Sequence, residues 1–124
     1  MEKVFLESEA FTEWVVEHLD DITYLRFQLF LMKNPNSGAV MSGCGGLRKV
    51  RLALPGSGRG KRGGARVLYL HVPELDRIYL LDAYTKNEKA DVDADQKKRF
   101  KRLAEKLIQE ARHARARFSK GKRS

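Results

Sequence analysis

The chain has 124 residues, with 25 Lys or Arg against 16 Asp or Glu, for a formal net charge of +9. That length suits one domain around a single core, and an apolar content of 42% excludes disorder for the body of the chain. A lone cysteine, Cys44, excludes an intrachain disulfide, no apolar run approaches the ~20 residues of a bilayer span, and the cation excess points to an anionic partner, nucleic acid first.

A short strand is expected at Lys3–Leu6. Ser8 then reads as the N-cap of a helix in which Phe11, Val15 and Leu19, with Trp14 and His18, recur at helical spacing. Thr23 is placed to cap a second helix, Tyr24–Met32, stopped by Asn34-Pro35. Asn34–Gly46 is a loop by composition. Leu47–Leu54 alternates Leu47, Lys49 and Arg51 with Arg48, Val50 and Leu52, a strand with at least one charged face. Pro55–Gly64 holds five glycines and reads as a flexible loop. Ala65–Val72 and Arg77–Tyr84 are β-rich runs joined by Pro73–Asp76, a hairpin connection. Asp93-Ala94-Asp95-Gln96 resembles a capping box, and Phe100, Leu103, Ala104, Leu107, Ile108 and Ala111 follow as one apolar stripe. From Ala114 the pattern fades, so a folded domain at 1–113 and a disordered basic tail at 114–124 are expected. The order β-α-α-β-β-β-α predicts an α+β domain: an antiparallel meander of the last three strands with helices on one face.

Charge is segregated along the chain. Met1–Met32 carries seven acidic and two basic residues, whereas Lys97–Ser124 carries twelve basic and two acidic. Between Gly46 and Arg66 lie seven cations, Arg48, Lys49, Arg51, Arg59, Lys61, Arg62 and Arg66, and no acidic residue. Two strands flanking a cation-studded glycine loop suit a phosphodiester backbone. The G-x-x-x-x-G-K-[ST] phosphate loop is absent because Arg62 follows Lys61. Tyr69 and Tyr79 read as core or half-buried sheet residues, Trp14 as packing, and His71 as structural.

The segments GCGGLRKVRL (Gly43–Leu52), GKRGGARVLYL (Gly60–Leu70) and YLLDAYTKNE (Tyr79–Glu88), with the element order, resemble the RelE/HigB family of bacterial toxins, in particular its HigB-like branch. The resemblance runs from about Lys3 to Glu110. It implies a RelE-like fold and a small ribonuclease that cuts messenger RNA in the ribosomal A site, against a ribosomal RNA surface. It also implies a cognate antitoxin, for this branch a helix-turn-helix DNA-binding protein. With no secretion signal in MEKVFLESEAF, a soluble cytoplasmic protein is expected.

RNA cleavage without a metal or other cofactor proceeds by attack of the RNA's own 2′-OH. It needs a base, an acid and cations for the charge gathering on phosphorus. The histidines, His18, His71 and His113, are scattered outside the basic motifs. Arg66 is the best candidate to grip the phosphate, since a guanidinium holds two oxygens at once. Lys86 and Lys61 are candidate acids or bases, because crowded cations bring a lysine toward neutral titration. Arg48, Lys49, Arg51, Arg59, Arg62, Asn87 and Lys89 are candidate RNA contacts, and Tyr84 offers a ring for base stacking. RelE itself has an arginine shortly after its K-x-E step and then a substrate-stacking tyrosine; here Lys89 and, at about the tyrosine position, Asp93 stand instead. The proton donor is therefore unassigned. The alternative is a non-enzymatic inhibitor of DNA gyrase on the same scaffold, as in ParE relatives, which generally lack so dense a basic site.

Overall fold

The structure, a computed structural model, describes residues 3–54 and 64–121, with side chains through Arg117. The elements are β1 (Val4–Glu7), α1 (Glu9–His18), α2 (Asp21–Lys33), β2 (Ala39–Val40), β3 (Arg48–Leu52), β4 (Ala65–Val72), a 3-10 turn (Pro73–Leu75), β5 (Arg77–Thr85) and α3 (Ala94–Gly121). The expected order holds, with β2 added inside the loop after α2.

Caps set several boundaries. The Phe11 N–H donates to Ser8 Oγ at 3.1 Å, capping α1 as expected. The Gln96 N–H donates to Asp93 Oδ1 at 2.8 Å and the Asp93 N–H to Gln96 Oε1 at 3.1 Å, a reciprocal box at the start of α3. Helix α2 begins earlier than Thr23 suggested. Asp20 is its cap, accepting the Thr23 N–H at 2.7 Å, because a carboxylate there both receives the orphan donor and faces the positive helix end. Helix α3 runs on to Gly121, so the basic segment from Ala114 is helical as far as it is described rather than a loose tail. The Ala and Arg residues between Ala111 and Arg117, interrupted only by His113, are strong helix formers and sustain the helix after its apolar stripe ends.

The sheet order is β1-β5-β4-β3-β2. Strands β3, β4 and β5 form the expected antiparallel meander, but β1 joins β5 in parallel, so the sheet is mixed. The helices cover both faces rather than one. Phe11 and Trp14 of α1 and Phe27 and Leu31 of α2 share a core with Val67, Tyr69, Ile78 and Leu80. On the other face, Leu103, Ala104, Leu107 and Ala111 of α3 pack with Leu68, Leu70, Val72 and Tyr79. The reason lies in β4 and β5, whose side chains are apolar on both faces and need a cover on each. Among the described residues no helix is long and apolar enough to cross a membrane.

One irregularity shapes everything that follows. Leu68 pairs with Asp82 but Tyr69 pairs with Leu80, leaving Leu81 as the extra residue of a bulge in β5. Past the bulge, Asp82 and Tyr84 share the α3 face with their ladder partners Leu68 and Arg66.

Candidate nucleic-acid interface

Ladder partners project to the same side of a sheet, so register alone assembles the cations. Arg51 pairs with Arg66, and Lys49 with Leu68; Arg66 pairs in turn with Tyr84. Because Val50, Leu52, Ala65 and Val67 belong to the α1–α2 core, alternation turns Lys49, Arg51 and Arg66 to the opposite face. Two arginines directly across a ladder repel one another. Nothing in the packing rewards that pairing, and an anion between them relieves it.

Arg66 makes one hydrogen bond among the described residues, from Nη1 to the Ala65 carbonyl at 3.3 Å, and no ion pair there. Its head is uncommitted to any carboxylate of the described residues. Lys89 donates to Asp82 Oδ2 at 3.3 Å and lies 4.9 Å from the centre of the Tyr84 ring. Lys49 reaches Asp91 Oδ1 at 3.4 Å. Lys86 and Asn87 stand exposed on the turn that follows β5. Lys61, Arg59 and Arg62 lie outside the described residues.

Two expectations are corrected. Tyr84 is only 2% exposed, so its ring is packed into the core under α3 and is not a platform for a base. Burial and the neighbouring Asp91 push its hydroxyl up to about 12, against the opposing pull of Arg66, and it remains protonated at neutral pH. Arg48 is the second. It lies on the α1–α2 side with its ladder partner Tyr69 and donates to the carbonyls of Gly38 at 2.7 Å and Asn36 at 3.1 Å. Tyr69 completes this arrangement, its hydroxyl donating to the Pro35 carbonyl and accepting from the Gly38 N–H, each at 2.9 Å. Arg48 thus holds the loop after α2. Arg48→Met is expected to lower stability by about 1–3 kcal/mol, since it strands the part-buried Gly38 carbonyl, and to leave RNA affinity unchanged; denaturant unfolding and filter binding check both halves.

Three carboxylates organise the turn after β5, and two of them, Asp82 and Asp91, were missed in sequence. Asp91 Oδ1 accepts from the Val92 N–H at 2.7 Å, the Tyr84 hydroxyl at 3.3 Å and Lys49. The Val92 bond first, then Lys49 and Tyr84, hold its carboxyl below the ordinary range against some loss of solvation. Asp82 anchors Lys89. Partial burial works against the charge of Glu88, but hydrogen bonds from Trp14 Nε1 at 3.0 Å and the Thr85 N–H at 2.8 Å, with His18 nearby, bring its carboxyl down overall. His18 stacks on Trp14 with ring centres 4.4 Å apart. Trp14 therefore does more than pack: it clasps α1 to the turn carrying Lys86 and Asn87. No local pattern reveals a contact across 74 positions.

These parts define a small α+β protein whose sheet carries a ladder of cations on the face shared with α3, suited to holding a phosphodiester. Residues 32–122 match the family model described as the RelE toxin of the RelE / RelB toxin-antitoxin system. The chain belongs to the RelE toxin family.

Among solved structures, a chain of the intact Escherichia coli RelBE toxin-antitoxin complex is similar at 16% identity, covering 66% of this chain and 94% of that one with a TM-score of 0.47. A doubly substituted variant of E. coli toxin RelE in the free state is similar at 17% identity, covering 73% and 90% respectively, with a TM-score of 0.49.

Proposed function

We propose that this RelE-family toxin cuts messenger RNA on translating ribosomes, in the cytoplasm, and is held inactive by a cognate antitoxin. The observation that carries the reading is the row of Lys49, Arg51 and Arg66 on one sheet face, with two arginines opposed across a ladder. The motifs around Gly43–Leu52, Gly60–Leu70 and Tyr79–Glu88 favour the HigB-like branch, for which the antitoxin is a helix-turn-helix protein.

In the proposed reaction the 2′-OH loses its proton as its oxygen bonds to phosphorus. The bond from phosphorus to the 5′-oxygen breaks, and that oxygen takes a proton. The products are a 2′,3′-cyclic phosphate and a 5′-OH, a route that needs no metal ion. Arg66 grips the phosphate with two parallel N–H bonds, and Arg51 and Lys49 stabilise the charge that builds on its oxygens. Lys86, exposed on its turn, and Lys61 serve as proton carriers; Arg59, Arg62, Asn87 and Lys89 contact the flanking RNA. Tyr84 contributes from below by fixing Asp91, and through it Lys49.

The test adds the purified chain to ribosomes translating a defined message and maps new RNA ends, with the same message lacking ribosomes as control. Cuts within A-site codons, present only with ribosomes, are the expected result. Cuts on free RNA remove the ribosome from the mechanism. Intact message in both tubes, with growth still inhibited in cells, overturns the reading in favour of a gyrase-type inhibitor.

A further inference from the structure

Beside the cation row, on the same side of the sheet, lies a second feature. Ala39, Met41 and Ser42 at the β2 edge, Lys49 of β3, and Asp91 and Lys97 before and within α3 line a cleft of about 270 Å³. That is near the lower end of small-molecule sites, which run from ~300 Å³, and suits one planar ring system. One wall is apolar, formed by exposed Ala39, the ladder partner of Lys49, and by Met41. The other is charged.

Asp91 is unusual in how it is held. All three of its hydrogen bonds, from Val92, Tyr84 and Lys49, fall on Oδ1. Among the described residues nothing donates to Oδ2, on a side chain that is 58% exposed. The carboxylate is thus fixed by one oxygen while its twin is left to accept. Its charge persists at neutral pH, because the donors on Oδ1 favour the ionised form.

We propose that this cleft is a base subsite and that it selects guanine; the inference rests on the nuclease reading above. Single-stranded RNA is read by splaying a base out and bonding its pairing edge. Guanine alone among the four RNA bases presents two adjacent donors on that edge, N1–H and N2–H, beside an acceptor, O6. Asp91 Oδ2 accepts from the donors, and the ammonium of Lys97 supplies O6. Met41 and Ala39 give the ring an apolar face to lie on. Lys49 is two residues from Arg51 along β3, about 7 Å, so a phosphate on Arg51 and Arg66 and the base of a neighbouring nucleotide are held together. Adenine, cytosine and uracil each place an acceptor against the carboxylate or leave it with a single donor.

The experiment maps cleavage over a message containing all sense codons, translated in vitro, with the intact chain and with Asp91→Asn. The readout is the ratio of guanine to other bases at each codon position among the cuts, which is independent of total activity. With the intact chain, one position is expected to favour guanine by roughly 5- to 100-fold, the discrimination of a good bidentate base contact. In Asp91→Asn that ratio collapses toward unity. A loss spread evenly over all codons overturns the proposal and leaves Asp91 as a group that merely positions Lys49; an unchanged ratio overturns it as well. A second measurement separates this from the nuclease reading: guanosine 3′-monophosphate against its adenosine, cytidine and uridine counterparts, titrated into the purified chain and followed at the Val92 amide. Guanosine-selective shifts without message cleavage keep the subsite and reject the nuclease, whereas cleavage without base preference or selective shifts does the reverse.

Discussion

Arg66→Ala is expected to lower ribosome-dependent cleavage by ~10²–10³-fold, the usual cost of removing one well-placed donor to a developing oxyanion, and to abolish growth inhibition. The variant is expected to fold as well as its parent. The Arg66 guanidinium bonds only to its own neighbour's carbonyl among the described residues, and its removal relieves the repulsion from Arg51 across the ladder. A surface change of this kind alters stability by no more than ~0.5 kcal/mol. Initial cleavage rates beside a thermal melt decide the matter. Parent-level cleavage in a folded Arg66→Ala protein removes Arg66 from the site.

Phe11→Ala is expected to produce the opposite pattern, a large loss of stability with the chemistry intact. Phe11 is fully buried in the core that joins α1 and α2 to Ile78 and Leu80 of β5, and its ring lies 6.0 Å from that of Tyr24. Emptying such a position costs ~3–5 kcal/mol through lost burial and the cavity left behind. For a domain of this size the melting temperature falls by roughly 10–20 °C. Strand alternation turns the side chains of Lys49, Arg51 and Arg66 away from this core. Below its melting point, the variant therefore cleaves at the parental rate per folded molecule. Unfolding curves and cleavage assays at 15 °C and 37 °C separate the two effects, and a stable Phe11→Ala protein contradicts the packing.

The pair of variants brackets how the molecule divides its labour. One face of the sheet is a sealed aromatic and aliphatic core under two helices. The other is sealed by α3 over only part of its area, leaving the β3 and β4 side chains nearest the glycine-rich segment to present charge. The Trp14–Glu88 clasp connects the two, tying a residue of the sealed core to the turn that displays Lys86.

Much of this was legible in the chain because it rests on local chemistry. Ser8 ahead of an apolar repeat, and Asp93 with Gln96 three positions on, announce helix starts through side chains that reach only their own backbone. The meander of β3, β4 and β5 follows from three β-rich runs, the first two separated by a glycine-rich segment and the last two joined by the short Pro73–Asp76 connection. The alternation Lys49–Val50–Arg51–Leu52 already separated a charged face from an apolar one, and the motifs around Arg66 and Lys86 named the family later matched by residues 32–122.

What lay beyond local chemistry was decided by the tertiary structure. Arg48 and Lys49 are adjacent cations, yet pleating sends one to brace a loop and the other toward the site. The bulge at Leu81 places Asp82 and Tyr84 on the α3 face, and that burial turns an expected stacking ring into a protonated anchor. Parallel pairing of β1 with β5 joins residues 73 positions apart, as the contact of Asp91 with Lys49 joins residues 42 apart. The sequence by itself determined most of the elements, the caps of α1 and α3 and the cationic character of the sheet, since each is written within a few residues. Which cations share a face, and which carboxylates hold them, depends on strand register and on the closure of loops, and these exist only once the whole chain has packed.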